Sequence, residues 1–288
     1  MPELPEVEIL VRHLQPLVRN KTIRGAVVRR TRVIAPTALT DFRRALRGAR
    51  ILNLSRRGKY LRFELQSARG KARFTLLGHL GMTGRMFVAR KNAPLPKHAA
   101  VVLDLGPEQF IYEDTRYFGR LTLDDSAVAE LGPEPLGGEF TVEGFAADLK
   151  RSQRAIKIKL LDQALVAGVG NIYASEALFR AQISPRLAAN RLTREQVRGL
   201  WRAIRAVLAE AIRCGSTIPL SFNGGSKDGL FYFGSAPGAA DYYVERLRVY
   251  DRQGQPCVRC DAPIKRIVQA ARSTFYCPQC QTRAIRLC

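Results

Sequence analysis

The sequence predicts an α+β fold: an N-terminal two-layer β-sandwich bracketed by helices, then a helical domain ending in a cysteine-rich ribbon. Three observations carry this. The hydrophobic period is helical at the start, turns to short β-rich runs near residue 22, and is helical again beyond residue 140. A stretch dense in proline and glycine, Gly132-Pro-Glu-Pro-Leu-Gly-Gly138, lies at the second change. Two CxxC pairs, Cys257/Cys260 and Cys277/Cys280, stand near the C-terminus. The expected organisation is a sandwich domain over 1–131, a linker over 132–144, a helical domain over 145–245 and a ribbon with a tail over 246–288.

Residues 3–18 read as a helix because Val7, Leu10, Val11, Leu14, Leu17 and Val18 recur on one face. Six β-rich runs follow, at Thr22–Val28, Tyr60–Leu65, Arg73–Leu77, Val101–Leu105, Phe110–Tyr112 and Leu121–Leu123, with a short helix around Asp41–Leu46 among them. Four helices are expected after the linker: Phe145–Arg151, Ile156–Val166, Asn171–Ala181 and Arg194–Arg213. The last begins at a capping box, Thr193 with Gln196, and carries Val197, Leu200, Trp201, Ile204, Val207, Leu208 and Ile212 at helical spacing, so Trp201 belongs to a core.

Charge narrows the class of partner. The net charge is +22, from 47 Lys and Arg against 25 Asp and Glu. Residues 1–100 carry +17, residues 101–150 carry −8 and residues 151–288 carry +13, so two basic blocks flank an acidic interlude. That pattern suits two lobes facing a polyanion, with nucleic acid favoured over an anionic membrane surface. No apolar run approaches a membrane span, and no basic segment followed by an apolar one opens the chain. A cytoplasmic protein is expected.

The opening Met1-Pro-Glu-Leu-Pro-Glu-Val-Glu8 supports two readings. Pro2, Glu3 and Glu6 suit the first turn of a helix, where proline is tolerated and carboxylates meet the positive end of the dipole. Removal of Met1 would alternatively leave Pro2 with a free secondary amine. Such an amine titrates well below a lysine and condenses with an aldehyde to a cationic iminium, an electron sink.

The cysteine pairs are separated by sixteen residues, the spacing of a structural zinc site. One zinc is expected on Cys257, Cys260, Cys277 and Cys280, with no position left for water. Between the pairs, Gln269–Tyr276 reads as a hairpin with Arg272 near its tip. Cys214 and Cys288 fall outside the pattern. Val166-Ala-Gly-Val-Gly-Asn-Ile-Tyr173 joins two expected helices, and by itself is either a tight turn with Asn171 as an ordinary cap or a nest of backbone N–H groups for a phosphate.

The stretch from Leu160 to Pro185 resembles the helix–two-turns–helix element of the formamidopyrimidine-DNA glycosylase (Fpg) family. Met1–Glu8 resembles that family's opening and Arg57-Gly-Lys-Tyr60 its lysine-bearing strand. His79-Leu-Gly-Met-Thr-Gly84 and Asp114-Thr-Arg-Tyr-Phe-Gly119 resemble its DNA-facing loops, and Gly132–Leu136 and the four-cysteine ribbon also match, in order along nearly the whole chain. The resemblance implies a DNA repair glycosylase and lyase acting on oxidised purines such as 8-oxoguanine and formamidopyrimidines. Its catalytic residues would be Pro2 as nucleophile, Glu3 as acid and base, and Lys59. His79, Asn171 and Arg272 would hold phosphates together with Lys59. Met82, Arg116 and Phe118 would fill the gap left by an extruded nucleotide, with Phe118 as wedge and Arg116 bonding the orphaned base. Zinc is the implied cofactor, damaged double-stranded DNA the partner, and a nucleoid-associated monomer the expected form.

The chain departs from the family pattern in three places. Thr115 stands where proline is common before the arginine, Ser216–Tyr243 is long for a lesion-capping loop, and Gln281–Cys288 is a tail with no evident role. Two other activities remain open from sequence alone: an endonuclease VIII-like glycosylase for oxidised pyrimidines, and a non-catalytic zinc-ribbon DNA-binding protein.

Overall fold

The computed structural model describes residues 2–70, 72–214 and 247–282, which form two compact units: residues 2–129, and residues 130–214 with 247–282. Ser216–Tyr243 and residues 283–288, including Cys288, lie outside the described residues.

The first unit contains helices α1 (Leu4–Val18) and α2 (Leu39–Leu46) and strands β1 (Gly25–Val28), β2 (Arg50–Arg57), β3 (Tyr60–Gln66), β4 (Arg73–His79), β5 (Gly84–Arg90), β6 (Ala99–Asp104), β7 (Glu108–Asp114) and β8 (Arg120–Thr122). The strands make two antiparallel four-stranded sheets, in the orders β2-β3-β4-β8 and β1-β6-β7-β5. This is the sandwich expected from the β-rich runs. Strand β3 shows the cause most plainly: Leu61, Phe63 and Leu65 alternate inward along the strand. The sheets meet edge to face at Phe63 and Phe110, with ring centroids 5.5 Å apart. The stripe of α1 (Val7, Leu10, Val11, Leu14, Val18) and Phe42 and Leu46 of α2 join the same core. Two strands escaped the sequence reading. The Arg and Asn residues of β2 and the Gly and Arg residues of β5 weaken their apolar pattern, and it is pairing with β3 and β7 that holds them extended.

The topology matters for function. The chain passes from one sheet to the other twice at the same edge, through Leu80–Thr83 between β4 and β5 and through Thr115–Gly119 between β7 and β8. The pairs His79↔Arg120 and Gly84↔Asp114 bracket these two crossovers. The short helix α3 (Ser126–Ala129) ends the unit.

The second unit contains α4 (Val142–Lys150), α5 (Ile156–Lys159), α6 (Asn171–Arg180), α7 (Arg194–Cys214) and a hairpin of β9 (Lys265–Gln269) and β10 (Arg272–Tyr276). The capping box of α7 is formed: Thr193 N donates to Gln196 Oε1 at 2.9 Å and Gln196 N to Thr193 Oγ1 at 3.2 Å. Half-buried Trp201 donates Nε1–H to Phe140 O at 2.8 Å. The helix expected over Ile156–Val166 is corrected to a single turn. Beyond Lys159 the Asp162 carboxylate accepts from Ala164 N, and Gln163 bonds Gly168 N and Val169 O. Gly132 N and Pro133 O bond Gln163 O and Ala167 N, so these partners displace the helical ladder. The Pro- and Gly-dense stretch is itself pinned, because Arg205 donates to Pro135 O and Gly137 O at 2.7 and 3.0 Å. No described helix is long and apolar enough to cross a membrane.

Candidate nucleic-acid interface and metal centre

In the first unit, the start of α1 holds two carboxylates out of solvent. Glu3 and Glu6 are each 2% exposed, which a solvated helix start would not require. Glu3 is the N-cap, and its backbone N donates to Glu6 Oε2 at 2.8 Å in a capping box. Pro2 stands just before this cap and is half-buried. One turn further on, Glu8 Oε2 accepts from Arg56 Nε at 2.9 Å, and Arg56 Nη1 donates to Gly58 O at 3.1 Å. That chain ties α1 to the tight turn between β2 and β3, where Gly58 takes φ +55° and Lys59 follows, 7% exposed.

His79 continues the line. It pairs with Tyr60 in the β3–β4 ladder, and the two rings lie 4.8 Å apart. Burial, then the charges of Lys59 and Arg120, push its pKa down to about 4, so the ring is neutral at pH 7. Nδ1 accepts from Gly81 N at 3.2 Å, which places the proton on Nε2. The ring therefore offers a hydrogen-bond donor without a charge, a group a phosphate oxygen can use.

The two crossovers bring Met82, Arg116 and Phe118 together. Met82 and Phe118 are 47% and 46% exposed, well outside the sandwich core. The Arg116 guanidinium lies 4.7 Å over the Phe118 ring, and Nη1 reaches Met82 Sδ at 3.3 Å. The two loops touch backbone to backbone. A Cβ on Gly81, which has φ +59°, would strike Gly119 N, and a Cβ on Gly119 would strike His79 O and the Tyr112 hydroxyl. The Thr115 departure leaves the presentation of Arg116 intact: Asp114 Oδ1 accepts Arg116 N at 3.1 Å and Oδ2 accepts Gly119 N at 2.9 Å. Sequence reasoning named the loop and missed this carboxylate, which the motif itself contains.

In the second unit, Gly168 (φ +86°) and Gly170 form the expected turn, but Gly170 is the N-cap of α6 and Asn171 is the first helical residue. Asn171 does not cap, because its amide is engaged elsewhere. Oδ1 accepts from Lys157 Nζ at 2.6 Å, and Nδ2 donates to Ser273 O at 2.9 Å. This joins the turn to the ribbon beside exposed Arg272. Lys157, 0% exposed, was not singled out from sequence, since a lysine in a basic segment carries no distinguishing signal.

The ribbon brings all four cysteines together, their Sγ atoms within 4.8 Å of one another. Separations of 3.4 Å (Cys260–Cys280), 3.5 Å (Cys260–Cys277) and 3.9 Å (Cys257–Cys280) bracket the edge of about 3.8 Å that Zn–S bonds of about 2.3 Å give a tetrahedron. Arg259 N and Cys280 N point at Cys257 Sγ and Cys277 Sγ, as the knuckle of each CxxC turn requires. The cluster fits one structural zinc. The hairpin turn is Ala270-Ala271, with φ +46° and +58°, and Arg272 follows it.

Two side chains missed from sequence fasten the ribbon to the helices. The buried carboxylate of Glu176 accepts from the backbone N of Arg248, Val249 and Tyr250 at 2.8–2.9 Å. Its signal was a lone acid inside the uninterrupted buried run Tyr173–Phe179. Gln281, expected to begin a tail, is 2% exposed: it accepts from Cys277 N and donates to Ile183 O, each at 2.9 Å. It is part of the ribbon.

Comparison with known proteins gives one consistent result. Three family models match in order: formamidopyrimidine-DNA glycosylase N-terminal domain over residues 1–121, formamidopyrimidine-DNA glycosylase H2TH domain over 131–221, and zinc finger found in FPG and IleRS over 254–283. The chain is 42% identical over 288 residues to a formamidopyrimidine-DNA glycosylase of Thermus thermophilus, with 98% of each chain covered. It is 39% identical over 282 residues to that of Carboxydothermus hydrogenoformans, covering 98% and 100%. Among solved structures, Lactococcus lactis Fpg with N7-benzyl-Fapy-dG-containing DNA matches with a TM-score of 0.85 at 34% identity, again covering 98% and 100%. The same protein bound to DNA containing an abasic site matches at 0.83 and 33%. With its sandwich, paired crossover loops, Gly168–Asn171 turn and four-cysteine ribbon, the chain belongs to the formamidopyrimidine-DNA glycosylase family.

Proposed function

We infer that this protein is a base-excision repair enzyme that removes oxidised purines, such as 8-oxoguanine and formamidopyrimidines, from double-stranded DNA and then cleaves the strand. The observation that carries this reading is the grouping, in one unit, of a half-buried Pro2 beside two buried carboxylates with an exposed Met82–Arg116–Phe118 cluster. The first supplies a nucleophile with an acid and base, and the second an apolar wedge and a base-pairing guanidinium. Membership of the family supports the same assignment.

The Pro2 nitrogen attacks C1′ of the damaged nucleotide and gives its proton to the Glu3 carboxylate, while the glycosidic bond breaks and the base leaves with the electron pair and takes a proton from water. The sugar ring opens as the C1′–O4′ bond breaks, O4′ takes a proton from Glu3, and the nitrogen–C1′ iminium forms. Loss of a C2′ proton expels the 3′ phosphate, a second elimination expels the 5′ phosphate, and water releases the remnant. Lys59 and neutral His79 hold phosphates near the lesion, while Asn171 and Arg272 hold others from the second unit. Extruding a nucleotide costs a few kcal/mol, which filling the gap with Phe118 and Met82 offsets. The enzyme acts as a monomer on the DNA of the cytoplasmic nucleoid.

Borohydride trapping tests the reading. Protein with a free Pro2 should give a stable adduct with 8-oxoguanine duplex that maps to the N-terminal peptide, and one added residue before Pro2 should abolish it without much loss of binding. Adducts that persist in the blocked protein and map to Lys59 would move the nucleophile to that lysine. Trapping only on oxidised pyrimidines would transfer the substrate class, and no trapping on any lesion or abasic site would leave a DNA-binding protein without catalysis.

A further inference from the structure

Among the described residues, Asp114 is fully buried and its carboxylate gathers four donors from both crossover loops and the strand between them. Oδ1 accepts from the Thr83 hydroxyl at 2.6 Å and from Arg116 N at 3.1 Å. Oδ2 accepts from Gly119 N at 2.9 Å and from the Tyr112 hydroxyl at 3.3 Å. Its own backbone N donates to His98 O at 3.1 Å, which fixes the end of β7. Thr83 adjoins Met82; Arg116 and Gly119 bracket the segment that carries Phe118. One carboxylate thus sets the spacing between the filler and the wedge.

The charge on Asp114 suits this task. Burial raises its pKa, but the Thr83 hydroxyl, the Gly119 and Arg116 N–H groups and the Tyr112 hydroxyl outweigh that and hold it below the ordinary carboxylate range. Burial and the adjacent carboxylate push Tyr112 well above its usual value, so its hydroxyl remains a donor. Four donors converge on an acceptor with no hydrogens of its own. An asparagine would turn its NH₂ toward one pair of these donors. The glycine contacts supply the other half of the constraint, since Gly81 and Gly119 let the loops touch and Asp114 stops them sliding.

We propose that Asp114 is the positioning residue of the gap-filling cluster, and that its carboxylate determines how well Met82, Arg116 and Phe118 enter the duplex and how strictly Arg116 reads the orphaned base. This rests on the proposed repair function but assigns a specificity role to a residue that touches no DNA. The linkage runs through Thr83 on one side and Arg116 and Gly119 on the other, so it predicts a defect confined to duplex substrates.

The test compares wild-type protein with Asp114→Asn and Thr83→Val, on 8-oxoguanine opposite cytosine or adenine in duplex and on an abasic site in single-stranded DNA. The single strand has no orphaned base and no gap to fill. For Asp114→Asn, kcat/KM on the cytosine duplex should fall about tenfold or more, discrimination against adenine should collapse toward unity, and borohydride trapping on the single strand should stay within about twofold. Thr83→Val, which removes one hydrogen bond and keeps the fold, should move discrimination the same way by a smaller factor. Unchanged discrimination in both variants, or losses on single strand and duplex that match, would overturn the proposal. If wild-type protein excised no damaged base, the repair reading itself would fail, a result that wild-type data alone reveal.

Discussion

The side-chain amide of Asn171 donates to the main-chain carbonyl of Ser273 at 2.9 Å, joining the first residue of α6 to the residue after Arg272. Its oxygen is taken by Lys157 Nζ at 2.6 Å. The residue read from sequence as a helix cap, or by resemblance as a phosphate holder, therefore also sets the position of the ribbon hairpin, and with it the backbone next to Arg272.

Replacing Asn171 with alanine should weaken binding to damaged and undamaged duplex alike. The expected loss is about 1–2 kcal/mol, roughly fivefold to thirtyfold, with a shallower salt dependence and no change in the lesion preferred. Fluorescence anisotropy titrations at several salt concentrations measure all three. A changed lesion preference with general affinity intact would mean that the turn reads bases.

Cys257→Ser should release the metal and loosen the ribbon while the sandwich stays folded. Metal analysis should give one zinc per chain in native protein and well below one in the variant. Duplex affinity should fall in parallel, because Arg272 sits on the hairpin that the metal closes.

His79 gives a pH-dependent term of known sign. Its folded pKa of about 4 is below the unfolded value of 6.5, so the unfolded chain binds the proton more readily. The contribution to stability is full above pH 6.5 and is lost as pH falls toward 4, by up to about 3 kcal/mol. Urea unfolding at pH 7 and pH 4.5 should show a smaller drop for His79→Gln than for the native protein. Equal drops would mean that the ring is not held neutral.

The hairpin turn offers a gain instead of a loss. Ala270 and Ala271 both have positive φ, a region that costs a residue with a Cβ about 1 kcal/mol or more and costs glycine nothing. Ala271→Gly should therefore stabilise the ribbon by about 1 kcal/mol and slow zinc loss to a chelator; a faster loss would show that the strain is relieved elsewhere.

Elements whose cause is local were legible in the sequence. The stripe of α1, the Thr193–Gln196 capping box and the alternation in β3 all lie within a few residues of the structure they specify. The overlong helix at Ile156–Val166 failed because its competitors, Gly132 and Pro133, are about thirty residues away in sequence. Similarly, the type of residue at Met82, Arg116 and Phe118 was readable through resemblance. What brings them together is a shared sheet edge and a buried Asp114, neither of which leaves a periodic trace. Gln281 looked like tail because its partner, the Ile183 carbonyl, is 98 residues upstream.

The ribbon is fastened to α6 and the turns around it by Asn171, Glu176 and Gln281 and by Phe179, which packs into its apolar core, and it is closed internally by the four cysteines. With Arg272 in the proposed DNA-contacting role, a module fastened in this way would make metal and DNA mutual effectors. If Arg272 grips DNA as proposed and zinc orders the hairpin that carries it, thermodynamic reciprocity requires a bound duplex to strengthen the hold on zinc by the same factor. Enzyme engaged on DNA should then lose zinc to a chelator more slowly than idle enzyme.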